Sequence, residues 1–132
     1  MRDLSDILLE ITGRSGEASF RAEDMDHPRA VFAVAYLEGR PAGCGAIREF
    51  SPDTAELKRM YARDAGRGVG KMVLEFLERE AARLNYSRII LETGKVNEKA
   101  VRFYLANGYS VCANYGKYAD RDDSVCFSKT LS

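Results

Sequence analysis

Residues 54–74, TAELKRMYARDAGRGVGKMVL, constrain the fold more than any other stretch of the chain. They read as a strand, a turn with glycine on alternate positions (Gly66, Gly68 and Gly70), and a helix that begins with no intervening loop. A strand that feeds a helix so directly opens a crossover unit, and the strand after the helix is expected to pair in parallel with the first. The glycine turn carries a second implication. A helix start leaves several backbone N–H groups without intrahelical partners, with the positive end of the helix dipole behind them. Such a turn is an anion cradle, most often for phosphate or pyrophosphate.

The other elements fall around this unit. Residues 3–12 read as a short helix with Leu4, Ile7, Leu8 and Ile11 on one face, and a second short helix is expected near residues 20–25. His27-Pro28 marks a loop. Val31–Leu37 is an apolar strand, Glu38 to Pro41 a turn, Ala42–Phe50 the return strand, and Ser51-Pro52-Asp53 a turn into Thr54–Ala62. Val69–Leu84 is an amphipathic helix with Val69, Val73, Phe76, Leu77, Ala81 and Leu84 on one face. Ser87–Thr93 is the parallel strand. Asn97 caps a second helix, Glu98–Ala106, which Asn107-Gly108 ends. Val101, Tyr104 and Leu105 are expected to share a face of that helix. Tyr109–Tyr115 and Ser124–Thr130 are two further strands around a polar loop. The order predicts one α/β domain over residues 1–132: a mixed, mostly antiparallel sheet with a central βαβ unit.

Composition excludes several classes. Lysine plus arginine and aspartate plus glutamate each number 20, so the net charge is zero and a nucleic-acid-coating surface is not expected. No apolar run reaches membrane-spanning length and no secretory signal is evident, so a cytoplasmic protein is expected. Three scattered cysteines (Cys44, Cys112, Cys126) and one histidine, His27, give no metal-ligand pattern. The cysteines suit a reducing compartment, as small core residues.

The anion can be narrowed by what the glycine turn fails to be. A P-loop requires GxxxxGK followed by Ser or Thr, but Gly70-Lys71 is followed by Met72, and Ala65 stands at the first glycine position. A dinucleotide fingerprint requires GxGxxG. Here Lys71 occupies the third glycine position, although Glu92, at the end of the next strand, lies near where a ribose-binding acid is expected.

Two segments instead resemble the GNAT family of acyl-CoA-dependent N-acyltransferases. RMYARDAGRGVGKMVL (59–74) is similar to its strand-to-helix signature, Q/R-x-x-G-x-G/A. NEKAVRFYLANGY (97–109) is similar to its second signature, N-x-x-A-x-x-x-Y-x-x-x-G-F/Y. The resemblance runs from Val31 to Leu131. It implies the GNAT fold, acetyl-CoA as cofactor, and transfer of the acetyl group to a primary amine in a ternary complex. It implies a pyrophosphate held by Arg67, Gly68, Val69, Gly70 and Lys71, a pantetheine arm held by the backbone of Met60, Tyr61 and Ala62, and cofactor contact by Asn97. Ala65 departs from the Arg or Gln of the first signature, which leaves the backbone N–H groups as the main clamp. The family also begins with more structure than precedes Val31 here. This amino-terminal shortening leaves the substrate-side wall either open or completed by a second subunit of a homodimer.

Acyl transfer to an amine needs a base, because neutralising a lysine-like amine at pH 7 costs roughly 4–5 kcal/mol. On the resemblance, Glu56 on the strand before the glycine turn is the candidate base. An exposed strand carboxylate paired with Lys58 or Arg59 is its structural alternative, and Glu92 is the substitute. Tyr104 matches the second signature's tyrosine, a general acid or hydrogen-bond donor near the cofactor sulfur; core packing is the alternative. Tyr115, Lys117 and Tyr118 are candidates for the acceptor side. A non-catalytic acyl-CoA-binding or regulatory module is the competing reading, and a nucleotide-binding oxidoreductase the third. The acceptor, a small-molecule or peptide amine, is not specified.

Overall fold

A computed structural model describes residues 29–37, 39–63 and 68–131. The expected helices before Val31, together with Ala65, Gly66 and Arg67, lie outside the described residues. Among the described residues six strands form one sheet: β1 (Val31–Leu37), β2 (Arg40–Ser51), β3 (Thr54–Ala62), β4 (Arg88–Gly94), β5 (Ser110–Cys112) and β6 (Ser124–Thr130). Their order is β1-β2-β3-β4-β6-β5. Helix α1 (Val69–Arg83) crosses over from β3 to β4, and α2 (Glu98–Ala106) links β4 to β5. Every pairing is antiparallel except β3 with β4.

The core lies between the sheet and the helices. Val69, Val73, Leu74, Phe76, Leu77 and Ala81 of α1 are buried, as the 3.6-residue period requires. They meet Val31, Ala33, Ile47, Ala55 and Leu57 from the first three strands, and Ile89, Leu91 and Phe127 from β4 and β6. Helix and sheet touch closely because β2 carries glycine at two positions of one face. A Cβ on Gly43 would stand 2.7 Å from a Val69 methyl and 2.9 Å from the Tyr61 carbonyl oxygen. One on Gly45 would stand 2.5 Å from Met60 Sδ. Arg29 ties the rim together: its guanidinium donates to the Leu84 carbonyl at the end of α1, at 2.8 Å, and to Pro52 O at 2.9 Å, while lying 3.9 Å over the Tyr86 ring.

Two irregularities of β3 set up everything that follows. Cys44 faces Tyr61 and Ala46 faces Lys58, so Gly45 opposes both Arg59 and Met60. This is a β-bulge, and Arg59 takes the left-handed conformation (φ 59°), which non-glycine residues seldom adopt. On its other edge β3 pairs with β4 only through Thr54, Ala55 and Glu56. Beyond Glu56 the two strands part. The outermost strand, β5, is shorter than the expected Tyr109–Tyr115. After Cys112 the chain leaves the sheet and folds back toward β3, held by Asn114, whose Nδ2 donates to the carbonyls of Tyr118, Arg121 and Ser124 at 3.1–3.2 Å.

Candidate active site

The parting of β3 and β4 opens a cleft of about 310 Å³, with Glu56, Lys58, Glu92, Asn97, Tyr104 and Tyr118 among its lining residues. A second cleft of about 260 Å³ continues from it, lined by Met60, Tyr61, Ala62, Gly70, Asn97, Lys99, Ala100, Phe103 and Tyr104. Met60, Asn97, Ala100 and Tyr104 line both. The candidate residues are thus brought together along one channel. Glu56 stands at one end, the free edge of β3 forms a side, and the start of α1 closes the other end.

Glu56 is the last β3 residue paired with β4, and only 5% exposed. It is therefore not the exposed strand carboxylate of the structural alternative. Alternation puts Glu56 and Lys58 on the face away from Leu57 and the helices. Across β2, Arg48 faces Glu56 and donates to Oε1 from Nε (3.3 Å) and Nη2 (3.2 Å). The Tyr115 hydroxyl donates to Oε2 at 2.9 Å. Lys58 Nζ stands 3.9 Å from Oε2. A buried carboxylate is tolerated only with partners of this kind. Burial, and then the bond to Glu56, push the Tyr115 hydroxyl far above the usual tyrosine range, so it remains a donor. On β4, Glu92 accepts from Ser124 Oγ at 2.7 Å.

Tyr104 is buried at the junction of the two clefts, with its ring 5.2, 5.7 and 5.9 Å from those of Phe103, Tyr109 and Phe127. It is both packed and cleft-lining. Burial raises its hydroxyl to about 12. Val101 packs on the core beside it, but Leu105 is 49% exposed and does not share the face as expected. Asn97 is the N-cap of α2, its Oδ1 accepting from the Ala100 N–H at 3.2 Å, and it lines both clefts.

The start of α1 has the character of an anion site. Gly68 is the N-cap, left-handed at φ 76°, and a Cβ there would meet nothing within 4 Å. The first intrahelical bond runs from the Met72 N–H to Gly68 O, which leaves the N–H groups of Val69, Gly70 and Lys71 without helical partners. The first turn holds no acidic residue. Gly70 lies 3.4 Å, at its added Cβ, from the Phe103 ring, so a side chain there would narrow the channel. These residues fit a bound pyrophosphate.

Burial disfavours the thiolate at two of the three cysteines. Cys126 is buried, faces Cys112 across β5–β6, and is pushed up by burial. Cys44 is likewise raised by burial and donates to Arg59 O at 3.4 Å. Among the described residues no group of His, Cys, Asp and Glu could hold a metal, and no helix is long and apolar enough to cross a membrane.

A six-stranded sheet split between a parallel pair, with a glycine-started helix at the split, is the architecture of an acyl-CoA N-acyltransferase. The model of the acetyltransferase (GNAT) family matches residues 1–109, and the chain belongs to that family of acyltransferases. It is 33% identical over 113 residues to YsnE, an uncharacterized N-acetyltransferase of Bacillus subtilis strain 168, covering 83% of this chain and 75% of that protein. An IAA acetyltransferase of Azospirillum brasilense is 32% identical over 107 residues, covering 79% and 70%. Among solved structures, an acyl-CoA N-acyltransferase of Klebsiella pneumoniae subsp. pneumoniae superposes with TM-score 0.74 at 26% identity over 86% of this chain and 77% of the other. A GNAT acetyltransferase of Elizabethkingia anophelis, with acetyl-CoA bound, shares the fold at TM-score 0.68 and 15% identity over 96% and 89%.

Proposed function

We propose that this chain transfers the acetyl group of acetyl-CoA directly to a primary amine, with both substrates held at once. The observation that carries the reading is the continuous channel from Glu56, past Tyr104 and the unpaired edge of β3, to the open start of α1. Met60, Tyr61 and Ala62 offer main-chain groups along that edge, which β4 does not use. Gly68, Val69, Gly70 and Lys71 would hold the pyrophosphate through backbone N–H groups, with Arg67 beside them in the chain; Asn97 would bind the cofactor across the channel. Bound there, acetyl-CoA supplies an activated thioester, and holding it beside the amine supplies several kcal/mol as effective molarity.

Glu56 takes the amine proton, directly or through a water. Arg48 and Tyr115 hold one oxygen each, so the carboxylate is fixed in orientation where it lines the cleft. Tyr104 acts as a hydrogen-bond donor to the leaving sulfur. With its hydroxyl at about 12, giving a full proton to a thiolate of pKa about 8.5 is uphill by roughly 5 kcal/mol, so donation rather than transfer is its role.

Calorimetry with acetyl-CoA tests the reading: micromolar binding is expected, and no binding at high micromolar concentration refutes it. Glu56→Gln is expected to lower kcat on the order of a hundredfold. An unchanged kcat would exclude Glu56 as the base and move the role to Glu92.

A further inference from the structure

Lys58 stands out among the charged groups of the cleft because its own bonding is incomplete. Its ammonium carries three donors. Among the described residues its hydrogen-bond partner is the Tyr118 hydroxyl at a long 3.4 Å, and Glu56 Oε2, at 3.9 Å, is an ion-pair partner beyond hydrogen-bond reach. Its side chain is only 24% exposed and lines the cleft. Arg48, by contrast, spends two N–H groups on Glu56 and lies half in solvent. Glu92, the other carboxylate of the lining, already accepts a 2.7 Å bond from Ser124. A ligand entering beside the base therefore meets a cation with donors to spare.

We propose that the acceptor is a zwitterionic amine, with a carboxylate next to its amino group: Lys58 takes the carboxylate while Glu56 faces the nitrogen. This rests on the reading of Glu56 as the base. The 3.9 Å between Lys58 Nζ and Glu56 Oε2 suits one small zwitterion laid across the pair, charge against charge. The spare donors of the Lys58 ammonium match one carboxylate. A polyamine or other multiply cationic acceptor would instead bring a second positive charge against Lys58, which at 24% exposure solvent ions screen only in part. The Tyr118 ring lies 6.0 Å from Lys58 Nζ and offers an apolar surface for the acceptor's side chain. Selectivity here comes from both attraction and repulsion.

The test compares amino acids with their decarboxylated amines: phenylalanine with phenethylamine, alanine with ethylamine, and lysine with cadaverine. The wild-type protein is expected to favour the amino acid in each pair by at least tenfold in kcat/KM. Lys58→Gln should shrink that ratio toward one, chiefly through a raised KM for the amino acid, and Lys58→Arg should keep part of it. Acetyl-CoA calorimetry on each variant checks that it is folded. Preference for the decarboxylated member, or a ratio unchanged in Lys58→Gln, overturns the proposal while leaving acetyl transfer intact. Binding of acetyl-CoA with no transfer to either member also overturns it. Absence of acetyl-CoA binding is a different failure, that of the functional reading beneath it.

Discussion

Tyr115 and Glu56 are 59 positions apart in the chain and 2.9 Å apart at their oxygens. The Tyr115 ring is clasped between Phe50 at 5.2 Å and Tyr118 at 5.6 Å, so removing its hydroxyl should leave the ring in place. Tyr115→Phe is expected to lower kcat about tenfold and to leave acetyl-CoA affinity unchanged, with a stability cost of about 1 kcal/mol for the lost bond. Steady-state kinetics with calorimetry decides it: equal losses in kcat and cofactor affinity would mean that the loop, not the carboxylate, was disturbed. Tyr104 permits a pH prediction. Its hydroxyl titrates at about 12 in the fold and at about 10 in the unfolded chain, so the folded state holds the proton more tightly. Its contribution is fully present below pH 10 and is lost as pH rises through 12, by about 2–3 kcal/mol. Tyr104→Phe should therefore lose less stability than wild type between pH 9 and 11.5 in denaturant titrations, and identical slopes would contradict it. Tyr104 was legible in the sequence because a motif spacing carries it. The bond from Tyr115 to Glu56 was not, because no local periodicity links a loop tyrosine to a strand carboxylate across half the chain.

The β2–β3 hairpin shows how one irregular residue rewrites an element's chemistry. Ser51 faces Thr54, and a regular ladder from that pair would set Glu49 opposite Glu56, two like charges face to face. A register shift between Glu49 and Ser51 sets Arg48 opposite Glu56 instead, and frees Glu49 to bond Arg29. Strand existence was readable from composition; this one-residue shift was not, since a bulge leaves little trace in alternation. The close seat of α1 on β2 rests on Gly43 and Gly45, two apart in the strand and so on one face. Gly43→Ala is expected to cost about 1–3 kcal/mol through overpacking, since the added methyl meets the Tyr61 carbonyl as well as Val69. Gly70→Ala, whose methyl meets the edge of Phe103 at 3.4 Å and the Ala62 Cβ at 3.7 Å, both ordinary contacts, should cost less stability but weaken acetyl-CoA binding. Chemical denaturation beside calorimetry separates the two, and the reverse ranking would show that the channel wall is placed otherwise.

At the scale of the whole molecule, the sheet is two blocks joined by a short parallel seam. β1, β2 and β3 form one block, β4, β6 and β5 the other, and only Thr54–Glu56 pair with Arg88–Ile90. Helix α1 bridges the blocks on one face, through Leu57 and Ala55 on one side and Ile89 and Leu91 on the other. A ligand in the channel would touch both blocks and the starts of both helices, so binding should tie together parts that the seam alone holds loosely. By mass action, acetyl-CoA at a hundred times its Kd adds about 2.7 kcal/mol, enough to raise Tm on the order of 10 °C in a domain of this size. The gain should be local in origin. Amides of residues 57–62, on the edge that β4 leaves unpaired, and of residues 69–71, at the open start of α1, should exchange more slowly with acetyl-CoA bound. Amides of β1, which among the described strands pairs only with β2, should change little beyond the global increment. Hydrogen exchange read residue by residue distinguishes this from uniform tightening: protection spread evenly over β1 and β3 would mean that the cofactor does not lie along the parted strands.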